Sequence, residues 1–328
     1  MNLAIIIVNW NVGDLLAACL RSVEADLAES RLEGQIWVVD NASTDSSVAM
    51  LCRDFPQVQL IASEKNLGFA GGNNAALRII GFDPSPSPSP FKGGKNLPEA
   101  VLLLNPDTEV QPGALLALSD FLKNNPRAGI AGASLVYGDG SFQHSAFAFP
   151  GLWQLAFDLL PLPGRLLESS LNGRYPHSAY ASGRPFRVDH PLGAAMCVRR
   201  EAIQQVGLLD ERYRMYVEEV DWSKRVAAAG WAVYCVPAAR ITHFGGQSTG
   251  QVRLGSFINL WASRYQFYRK YYSPWKVWLA GQIVRLGMRR KARLDVEAAQ
   301  RGELSQSEVA RRLSGYEQVI NIWQGKTG

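Results

Sequence analysis

Hydrophobic residues in the first third of the chain occur in short runs, and these runs alternate with segments of helical spacing. Branched and leucine side chains dominate the runs, as is typical of strands buried on both faces. The runs are residues 3–8, 35–39, 58–62 and 101–104. Apolar positions recur every three or four residues over 14–25 and from about 73 to 80, which favours helices. The alternation predicts an α/β fold with a mostly parallel sheet flanked by helices.

The hydrophobic pattern weakens in the middle of the chain and then returns. Residues 140–190 are rich in Gly, Pro and aromatic side chains and show little periodicity, so we expect irregular structure there. Beyond residue 199 the spacing predicts two short helices, a strand, a Gly-containing loop and a long basic aromatic helical segment. These elements are placed at 201–206, 219–229, 231–236, 243–248 and 257–293.

The same pattern divides the chain into two predicted parts. Residues 1–250 carry the strand and helix alternation and form one domain, whereas residues 251–328 form a separate basic helical region. An insertion at 82–98 alternates Pro and Ser, and we predict an extended surface loop without chemistry for it.

Composition narrows the class of protein. The chain has 328 residues, of which 47% are hydrophobic, and this excludes a disordered or collagen-like chain. No apolar run approaches the ~18 residues needed to span a bilayer, and the N-terminus lacks the basic start of a signal peptide. The four cysteines include no Cys-x-x-Cys pair, so we expect no zinc or dithiol site and a reducing cytoplasm.

Charge is distributed unevenly along the chain. Residues 253–301 contain eleven Lys or Arg and two acids, whereas the net charge of the whole chain is +5, which leaves the first 252 residues at −4. Tryptophan, leucine and isoleucine interleave with these cations, which is typical of a helix lying on an anionic membrane surface. Two alternatives are packing on the main domain and nucleic-acid binding, but the acidic body disfavours nucleic acid.

Two acidic motifs follow predicted strands, where ligands of open α/β sheets bind. Asp40 begins Asp-Asn-Ala-Ser-Thr-Asp, and its carboxylate could accept hydrogen bonds from a ribose or a base; alternatively it serves only the turn. Asp107 ends Asn-Pro-Asp, and it could hold a divalent cation that bridges two phosphates. The alternative for Asp107 is a plain turn around Pro106.

Glycine-rich and acidic segments supply the remaining candidates. Gly68, Gly71 and Gly72 precede a predicted helix, so the backbone there could approach phosphates, although a plain strand-to-helix turn has the same pattern. A cluster of carboxylates at 218–221 offers a general base or, alternatively, only an acidic helix start. His243 lies in a Gly-flanked loop and is a candidate metal ligand or a structural histidine.

The order of these motifs resembles glycosyltransferase family 2, the inverting nucleotide-sugar transferases of GT-A fold. The resemblance runs from Ile5 to about Ser248. It rests on Ile-Val-Asn-Trp-Asn at 7–11, Val-Val-Asp-Asn-Ala-Ser-Thr-Asp at 38–45, Asn-Leu-Gly-Phe-Ala-Gly-Gly-Asn-Asn at 66–74, Leu-Leu-Asn-Pro-Asp at 103–107, Gly-Ala-Ala-Met at 193–196 and Glu-Glu-Val-Asp-Trp at 218–222. His-Phe-Gly-Gly-Gln-Ser at 243–248 is similar to the His-x-x-Gly-x-Ser of the rhamnosyltransferase-like branch.

The resemblance implies a role for each motif. Residues 1–110 would be the nucleotide-sugar half and 111–250 the acceptor half. Glu219 would be the catalytic base, with Asp221 as the alternative, although the family usually has Asp at the position of Glu219. Asp107 and His243 would bind the metal, and Asn105 replaces the first acid of the family's Asp-x-Asp motif. The residues expected to bind the nucleotide are Asn9, Asp40, Asn66, Gly68, Gly71 and Asn105, and those expected to bind the acceptor are Gly193, Ala194 and Glu218.

The implied activity is a metal-dependent transfer of a sugar with inversion, in the synthesis of a surface glycan. The donor would be dTDP-L-rhamnose or, alternatively, a UDP-sugar, the cofactor Mg²⁺ or Mn²⁺, and the acceptor a glycan or polyprenyl-linked glycan. We expect a cytoplasmic protein that is peripheral on the inner face of the membrane and has no nucleic-acid partner. Two rival interpretations are an inactive nucleotide-sugar-binding scaffold and a surface- or nucleic-acid-binding protein that acts through its basic tail.

Overall fold

The computed structural model describes residues 1–82, 97–161, 169–213, 215–245 and 253–326. The predicted Pro/Ser loop lies almost entirely outside these residues, as does the Gly-Gln-Ser end of the motif at 243–248. Two compact units divide the chain. The first is Met1–Phe149, Tyr175–Arg214 and Glu218–Gly250; the second is Pro150–Arg174, Met215–Val217 and Gln251–Gly328.

The first unit is built on a mixed β-sheet. In the described residues ten strands form it in the order β3-β2-β1-β4-β11-β6-β12-β5, with β7 beside β6 and β9 beside β12, and β8 pairs with β10 separately. The strands are β1 Leu3–Asn9, β2 Gly34–Asp40, β3 Gln59–Ala62, β4 Ala100–Leu104, β5 Thr108–Val110, β6 Ala128–Val136, β7 Phe142–Gln143, β8 Ala146–Phe147, β9 Phe186–Arg187, β10 His190–Pro191, β11 Ala195–Arg199 and β12 Ala232–His243.

Helices cover both faces of this sheet. Those of the first unit are α1 Gly13–Ser30, α2 Ser47–Asp54, α3 Gly68–Ile80, α4 Ala114–Asn124, α6 His177–Ala181, α7 Arg200–Val206 and α8 Glu218–Ala228. The second unit contains α5 Leu152–Leu159, a short 3₁₀ turn at Ser170–Asn172, and α9 Arg253–Tyr271, α10 Pro274–Gln300 and α11 Gln306–Trp323. Within the described part of the chain, no helix combines the length and apolar character that crossing a bilayer requires.

The side chains of β1 contribute to hydrophobic clusters on both faces of the sheet. Ile5 and Ile7 belong to one hydrophobic cluster, which includes Leu16 and Leu20 of α1, whereas Ile6 belongs to a second cluster on the opposite face. Successive side chains of a strand point to opposite faces, so a run of consecutive isoleucines supplies both cores. Four strands, β3, β2, β1 and β4, run parallel, and β11 is antiparallel to both β4 and β6.

Two local features differ from the sequence predictions. Helix α3 begins at Gly68, five residues before the predicted start, and Gly68 itself has a φ of 73°, which glycine adopts without steric cost. A Cβ atom at Gly72 would lie 2.8 Å from Val8 Cγ1, so this glycine allows α3 to pack closely on β1. The region predicted to be irregular contains short strands and helices, with Phe142 and Tyr180 in edge-to-face contact.

The basic aromatic segment consists of separate helices. A break at Ser273 divides α9 from α10, since Pro274 occupies the first turn of α10, where its missing N–H costs nothing. Ser305 then caps α11 by accepting a hydrogen bond from Glu308 N at 3.2 Å. Trp323 near the end of α11 donates to Trp261 O of α9 at 3.0 Å, which ties the last helix to the first.

Candidate active site

The carboxyl ends of β1 and β2 bring two of the predicted nucleotide-binding side chains together. Asn9 and Asp40 are paired in the register of these strands, and Asn9 Nδ2 donates to Asp40 Oδ1 at 2.9 Å. Ser43 N donates to Asp40 Oδ2 at 2.9 Å, so both carboxylate oxygens are held in place. Both side chains are buried, and Asn9 Oδ1 accepts no hydrogen bond within the described structure. The pair is a rigid polar platform at the sheet edge.

A second loop is attached to this platform through Asn41. Asn41 Nδ2 donates to Gly68 O at 3.1 Å, and Leu67 N donates to Asn41 Oδ1 at 3.3 Å. Asn66 Oδ1 accepts from Gly68 N at 2.9 Å, which closes the turn before α3. Gly71 lies in the first turn of α3, where a Cβ would be 3.1 Å from Leu67 Cβ. The predicted diphosphate loop is therefore fixed beside Asp40 by local hydrogen bonds.

Asp107 and His243 come together because β5 pairs with β12. His243 is opposite Thr108 in this pairing, and Phe244 N donates to Asp107 O at 2.9 Å. His243 Nε2 lies 3.5 Å from Asp107 Oδ1, and both side chains are buried. The pairing brings together two candidate metal ligands that are 136 positions apart in the sequence.

Gln143 on β7 sets the orientation of the His243 ring. Its Oε1 lies 3.2 Å from His243 Nδ1. Because an amide oxygen accepts hydrogen bonds, this contact favours a hydrogen on Nδ1, and Nε2 is the ring nitrogen that faces Asp107. Histidines that bind metals typically donate their second N–H to such an oxygen.

The Asp107 and His243 pair fits a divalent cation of the kind that also binds phosphates. Two ligands about 2.1 Å from one cation at a right angle are separated by about 3 Å, close to the observed 3.5 Å. The described residues contain no cluster of three or more His, Cys, Asp or Glu side chains suited to a metal. Two protein ligands are enough where substrate phosphates and water supply the others, as is usual for Mg²⁺.

The surroundings of Asp107 and His243 are connected to helix α8 through Asn105, Ala194 and Gly193. Asn105 N donates to Ala194 O at 2.9 Å, next to the antiparallel pairing of β4 with β11. A Cβ added at Gly193 would lie 3.4 to 3.6 Å from the Cβ, Cγ and Cδ atoms of Glu219. Gly193 therefore lies directly next to the Glu219 side chain.

The three carboxylates of α8 have different surroundings. Glu219 is partly exposed and borders Gly193, whereas Glu218 is buried. Asp221 is fully buried; it accepts a hydrogen bond from Tyr213 Oη at 3.2 Å and forms an ion pair with Arg225 Nε at 2.9 Å. Arg225 also donates to Val206 O and Leu208 O, at 2.7 and 2.8 Å. Both oxygens of Asp221 thus serve internal contacts.

Strained backbone leads directly into α8. Tyr216 and Val217 adopt φ values of 67° and 73°, a region that side chains other than glycine rarely occupy and that is an outlier for a β-branched residue. Such strain costs about 1–3 kcal/mol per residue and is typical of functional sites, where the surrounding structure maintains it. Glu218 and Glu219, the first two residues of α8, follow this segment directly in the sequence.

Sequence reasoning missed the contacts that hold these side chains. Ser43 and Asn41 lie inside a motif that was recognised, but their partners are set by the fold. Gln143 belongs to a region of weak periodicity, and no sequence signal indicated it. Its partner His243 is 100 residues away, so only the tertiary structure reveals the contact.

Comparison with known proteins adds the evolutionary context. The model of the family described as glycosyl transferase family 2 matches residues 4–207. The chain is 30% identical over 281 residues to the N-acetylglucosaminyl-diphospho-decaprenol L-rhamnosyltransferase of Mycobacterium tuberculosis, which covers 83% of this chain and 86% of the relative. It is 27% identical over 199 residues to a low-salt glycan biosynthesis hexosyltransferase of Haloferax volcanii, covering 60% of this chain and 55% of that one.

A solved structure shares the fold. The mannosyltransferase of Pyrobaculum calidifontis, solved in complex with GDP-Man and Mn²⁺, superposes with a TM-score of 0.54 at 14% identity and covers 99% of this chain and 86% of that one. The predicted α/β architecture of GT-A type is confirmed, with a sheet in which β11 and β5 run against their neighbours. The family model matches residues 4–207, and the mycobacterial relative is 30% identical over 83% of the chain. This chain therefore belongs to glycosyltransferase family 2.

Proposed function

We propose that this protein transfers a sugar from a nucleoside diphosphate to a hydroxyl of a polyprenyl-linked glycan, with inversion and with a divalent cation. L-rhamnose from dTDP-L-rhamnose is the first candidate donor, because the relative with 30% identity is an L-rhamnosyltransferase. The observation that carries the proposal is the Asp107 and His243 pair, which lies at the same sheet edge as Asp40. The activity of such a transferase depends on holding a diphosphate there.

The nucleotide would bind across the ends of β1, β2 and β4. Asp40 is already held by Asn9 and Ser43, and each of its carboxylate oxygens has a further lone pair that could accept a hydrogen bond from the nucleotide. Asn66, Gly68 and Gly71 would follow the diphosphate, and Asn105 would contact it from the next strand. The polar platform described above supports these assignments because it is rigid before any ligand arrives.

Asp107 and His243 would hold Mg²⁺ or Mn²⁺. When bound, the cation would neutralise charge on the diphosphate leaving group. The protein's own contribution is to present one carboxylate oxygen and one imidazole nitrogen in a buried position, with Gln143 orienting the ring. Asn105 adds a neutral group where a second carboxylate would add charge.

Glu219 would remove the proton from the acceptor hydroxyl. An alcohol is a weak nucleophile until a positioned carboxylate takes its proton. Glu219 is partly exposed and lies next to Gly193, whereas both oxygens of Asp221 are engaged by Tyr213 and Arg225. This contrast supports Glu219 as the base and a structural role for Asp221. Gly193, Ala194 and Glu218 would line the acceptor side.

The acceptor would be lipid-linked, as it is for the mycobacterial relative, whose name specifies N-acetylglucosaminyl-diphospho-decaprenol. We therefore propose that the protein works on the inner face of the membrane as a peripheral protein. Such an enzyme must bring its active site to a head group at the bilayer surface, which the basic second unit would favour.

Transfer assays test the proposal directly. The purified full chain is incubated with Mg²⁺ or Mn²⁺, a short-chain polyprenyl-diphospho-N-acetylglucosamine, and either dTDP-L-rhamnose or UDP-sugars. We expect glycosylated lipid with dTDP-L-rhamnose, none after chelation by EDTA, and at least ~100-fold slower transfer with Glu219→Gln. Product from UDP-sugars alone would reassign the donor. If no donor reacts and thermal unfolding is unchanged by dTDP or UDP with cation, the transferase proposal is wrong.

A further inference from the structure

Exposed apolar side chains are concentrated in the second unit. Among the described residues, the large hydrophobic side chains exposed to solvent include one in the first unit, Tyr137, and eight in the second. Those eight are Trp153, Leu160, Leu171, Trp275, Trp278, Leu286, Leu294 and Val296. Five of them belong to α10. A single exposed leucine needs no explanation, but this clustering does.

One face of α10 packs inside the second unit. Ala280, Val284 and Met288 are completely buried. Gly287 allows a close approach of α5, because a Cβ there would be 2.5 Å from Leu159 Cβ. Near the end of the helix Tyr316 Oη of α11 donates to Asp295 Oδ2 at 2.8 Å. Neighbouring helices of the same unit therefore cover this face.

The opposite face combines tryptophan with arginine. Trp275, Trp278 and Leu286 are 65%, 66% and 56% exposed. Arg289 and Arg293 continue the same face towards the C-terminal end and are also exposed. The positions are separated by three, eight, three and four residues, and at 3.6 residues per turn they form one stripe along the helix. We call residues 275, 278, 286, 289 and 293 the α10 outer face.

Within the part of the chain that the structure describes, the arginines of the α10 outer face form no ion pair. In the described structure no carboxylate lies within ion-pair distance of Arg289 or Arg293. In contrast, Arg312 on the neighbouring α11 is paired with both Glu308 and Asp295. The outer face thus presents two arginines without ion-pair partners in the described residues, about three helical turns from the exposed indole rings of Trp275 and Trp278.

We infer that the α10 outer face binds an anionic lipid bilayer. Indole rings sit at the boundary between head groups and acyl chains, and arginines bind lipid phosphates while their stems cover apolar surface. The positive charge of the stripe favours anionic lipid over a neutral protein partner, and a helix of this pattern lies in the plane of the interface. This inference rests on the proposed function, since it names the partner that would bring a lipid-linked acceptor to the enzyme.

Vesicle co-sedimentation of the full chain tests this assignment without any donor, cation or acceptor. The probes are vesicles of phosphatidylcholine alone and of phosphatidylcholine with 30 mol% phosphatidylglycerol. We expect binding to the anionic vesicles, weakened as salt rises, and a blue shift of tryptophan emission on binding. Because each basic residue near such a surface contributes a factor of about 5, Arg289→Glu with Arg293→Glu should weaken binding at least ~30-fold. Trp275→Ala with Trp278→Ala should abolish the blue shift.

The matched control reverses the same number of charges elsewhere. Lys123 and Arg127 are exposed at the end of α4 in the first unit, so Lys123→Glu with Arg127→Glu changes the net charge equally. We expect this control to keep most of the vesicle binding. Equal loss in the control, or no binding of the unmodified protein at low salt, overturns the inference. A dimer that the tryptophan variant dissociates, without vesicle binding by either protein, would also overturn it and assign the face to a second copy.

Failure of the inference and failure of the proposed function give different results. Donor-dependent thermal shifts are recorded for the same variants. The inference is supported if the variant with Arg289→Glu and Arg293→Glu loses vesicle binding but keeps the thermal shift that the donor produces. If the protein does not bind vesicles but still transfers sugar to a short-chain acceptor, the inference of a lipid-binding face is wrong and the transferase proposal is unaffected.

Discussion

Gln143 Oε1 lies 3.2 Å from His243 Nδ1, and this contact determines which ring nitrogen faces Asp107. The two strands concerned, β7 and β12, both belong to the main sheet, with β6 between them. The orientation of a candidate metal ligand is thus built into the sheet and does not depend on a mobile loop.

Removal of this contact should weaken cation binding before it affects folding. We expect Gln143→Leu to lower Mn²⁺ affinity by about 10- to 100-fold, the usual effect of losing a partner behind a metal-binding histidine. Gln143→Glu, which keeps an acceptor oxygen, should retain most of the affinity. Free Mn²⁺ is counted by electron paramagnetic resonance in the presence of dTDP. Gln111→Leu, which removes a 3.3 Å contact to the neighbouring Thr242, is the control; an equal loss there would refute the specific role of Gln143.

Glu219→Gln should separate binding from catalysis. A carboxamide cannot take a proton, so we expect transfer to fall by about 10²- to 10⁴-fold. The thermal shift produced by dTDP and Mn²⁺ should stay as it is in the unmodified protein, because Glu219 contacts neither in the proposed arrangement. Retention of full activity would exclude Glu219 as the base and return the assignment to Asp221.

Asp221→Asn should mainly destabilise the protein. The change leaves Arg225 without its buried carboxylate, and removal of one partner of a buried ion pair costs about 3–5 kcal/mol. Urea denaturation, followed by circular dichroism, measures the free energy of unfolding. Arg53→Ala is a suitable comparison, because its ion pair with Asp54 is exposed and solvent screening leaves it little effect on stability. Similar stability of the Asp221 and Arg53 variants would contradict this assignment.

His190 should make stability depend on pH below neutrality. Burial lowers the pKa of His190 to about 4, and its ring stacks against Phe147 and Phe149 with centroids 5.7 and 6.2 Å apart. The unfolded chain, with an ordinary histidine pKa near 6.5, binds the proton more readily. Stability is therefore complete above about pH 6.5 and is lost as pH falls towards 4, by up to about 3 kcal/mol.

His190→Phe keeps the stacking and removes the titrating group. Denaturation midpoints compared at pH 7 and pH 4.5 should differ less in this variant than in the unmodified protein. Other acid-sensitive groups contribute equally to both proteins. The change in midpoint between pH 7 and pH 4.5 therefore differs between the two proteins only through His190. If the midpoint changes equally with pH in both proteins, the His190 ring is not the source of the pH dependence of stability.

The family and the fold could be predicted from sequence, whereas the roles within the α8 cluster could not. Runs such as 3–8 show burial on both faces by composition alone, and the order of motifs indicated the family that the comparisons confirm. Glu219 and Asp221 are two positions apart on one helix, so the sequence cannot say which is exposed. The ion pair of Asp221 with Arg225 is a local contact four residues along the helix, whereas the full burial of Asp221 and its hydrogen bond from Tyr213 come from the fold and distinguish it from Glu219.

In the basic helical region of residues 251–328, too, the sequence shows the local pattern and only the structure shows the tertiary contacts. Its charge and its aromatic residues were evident from the sequence, but the break at Ser273 and the choice of the face that α5 and α11 cover were not. Hydrophobic periodicity depends on neighbours along the chain, and so the sequence by itself determined which segments become strands and helices. Only the tertiary structure decided how Gln143, His243 and Asp107 meet and which side of α10 stays open, because those contacts join residues that lie far apart in the chain.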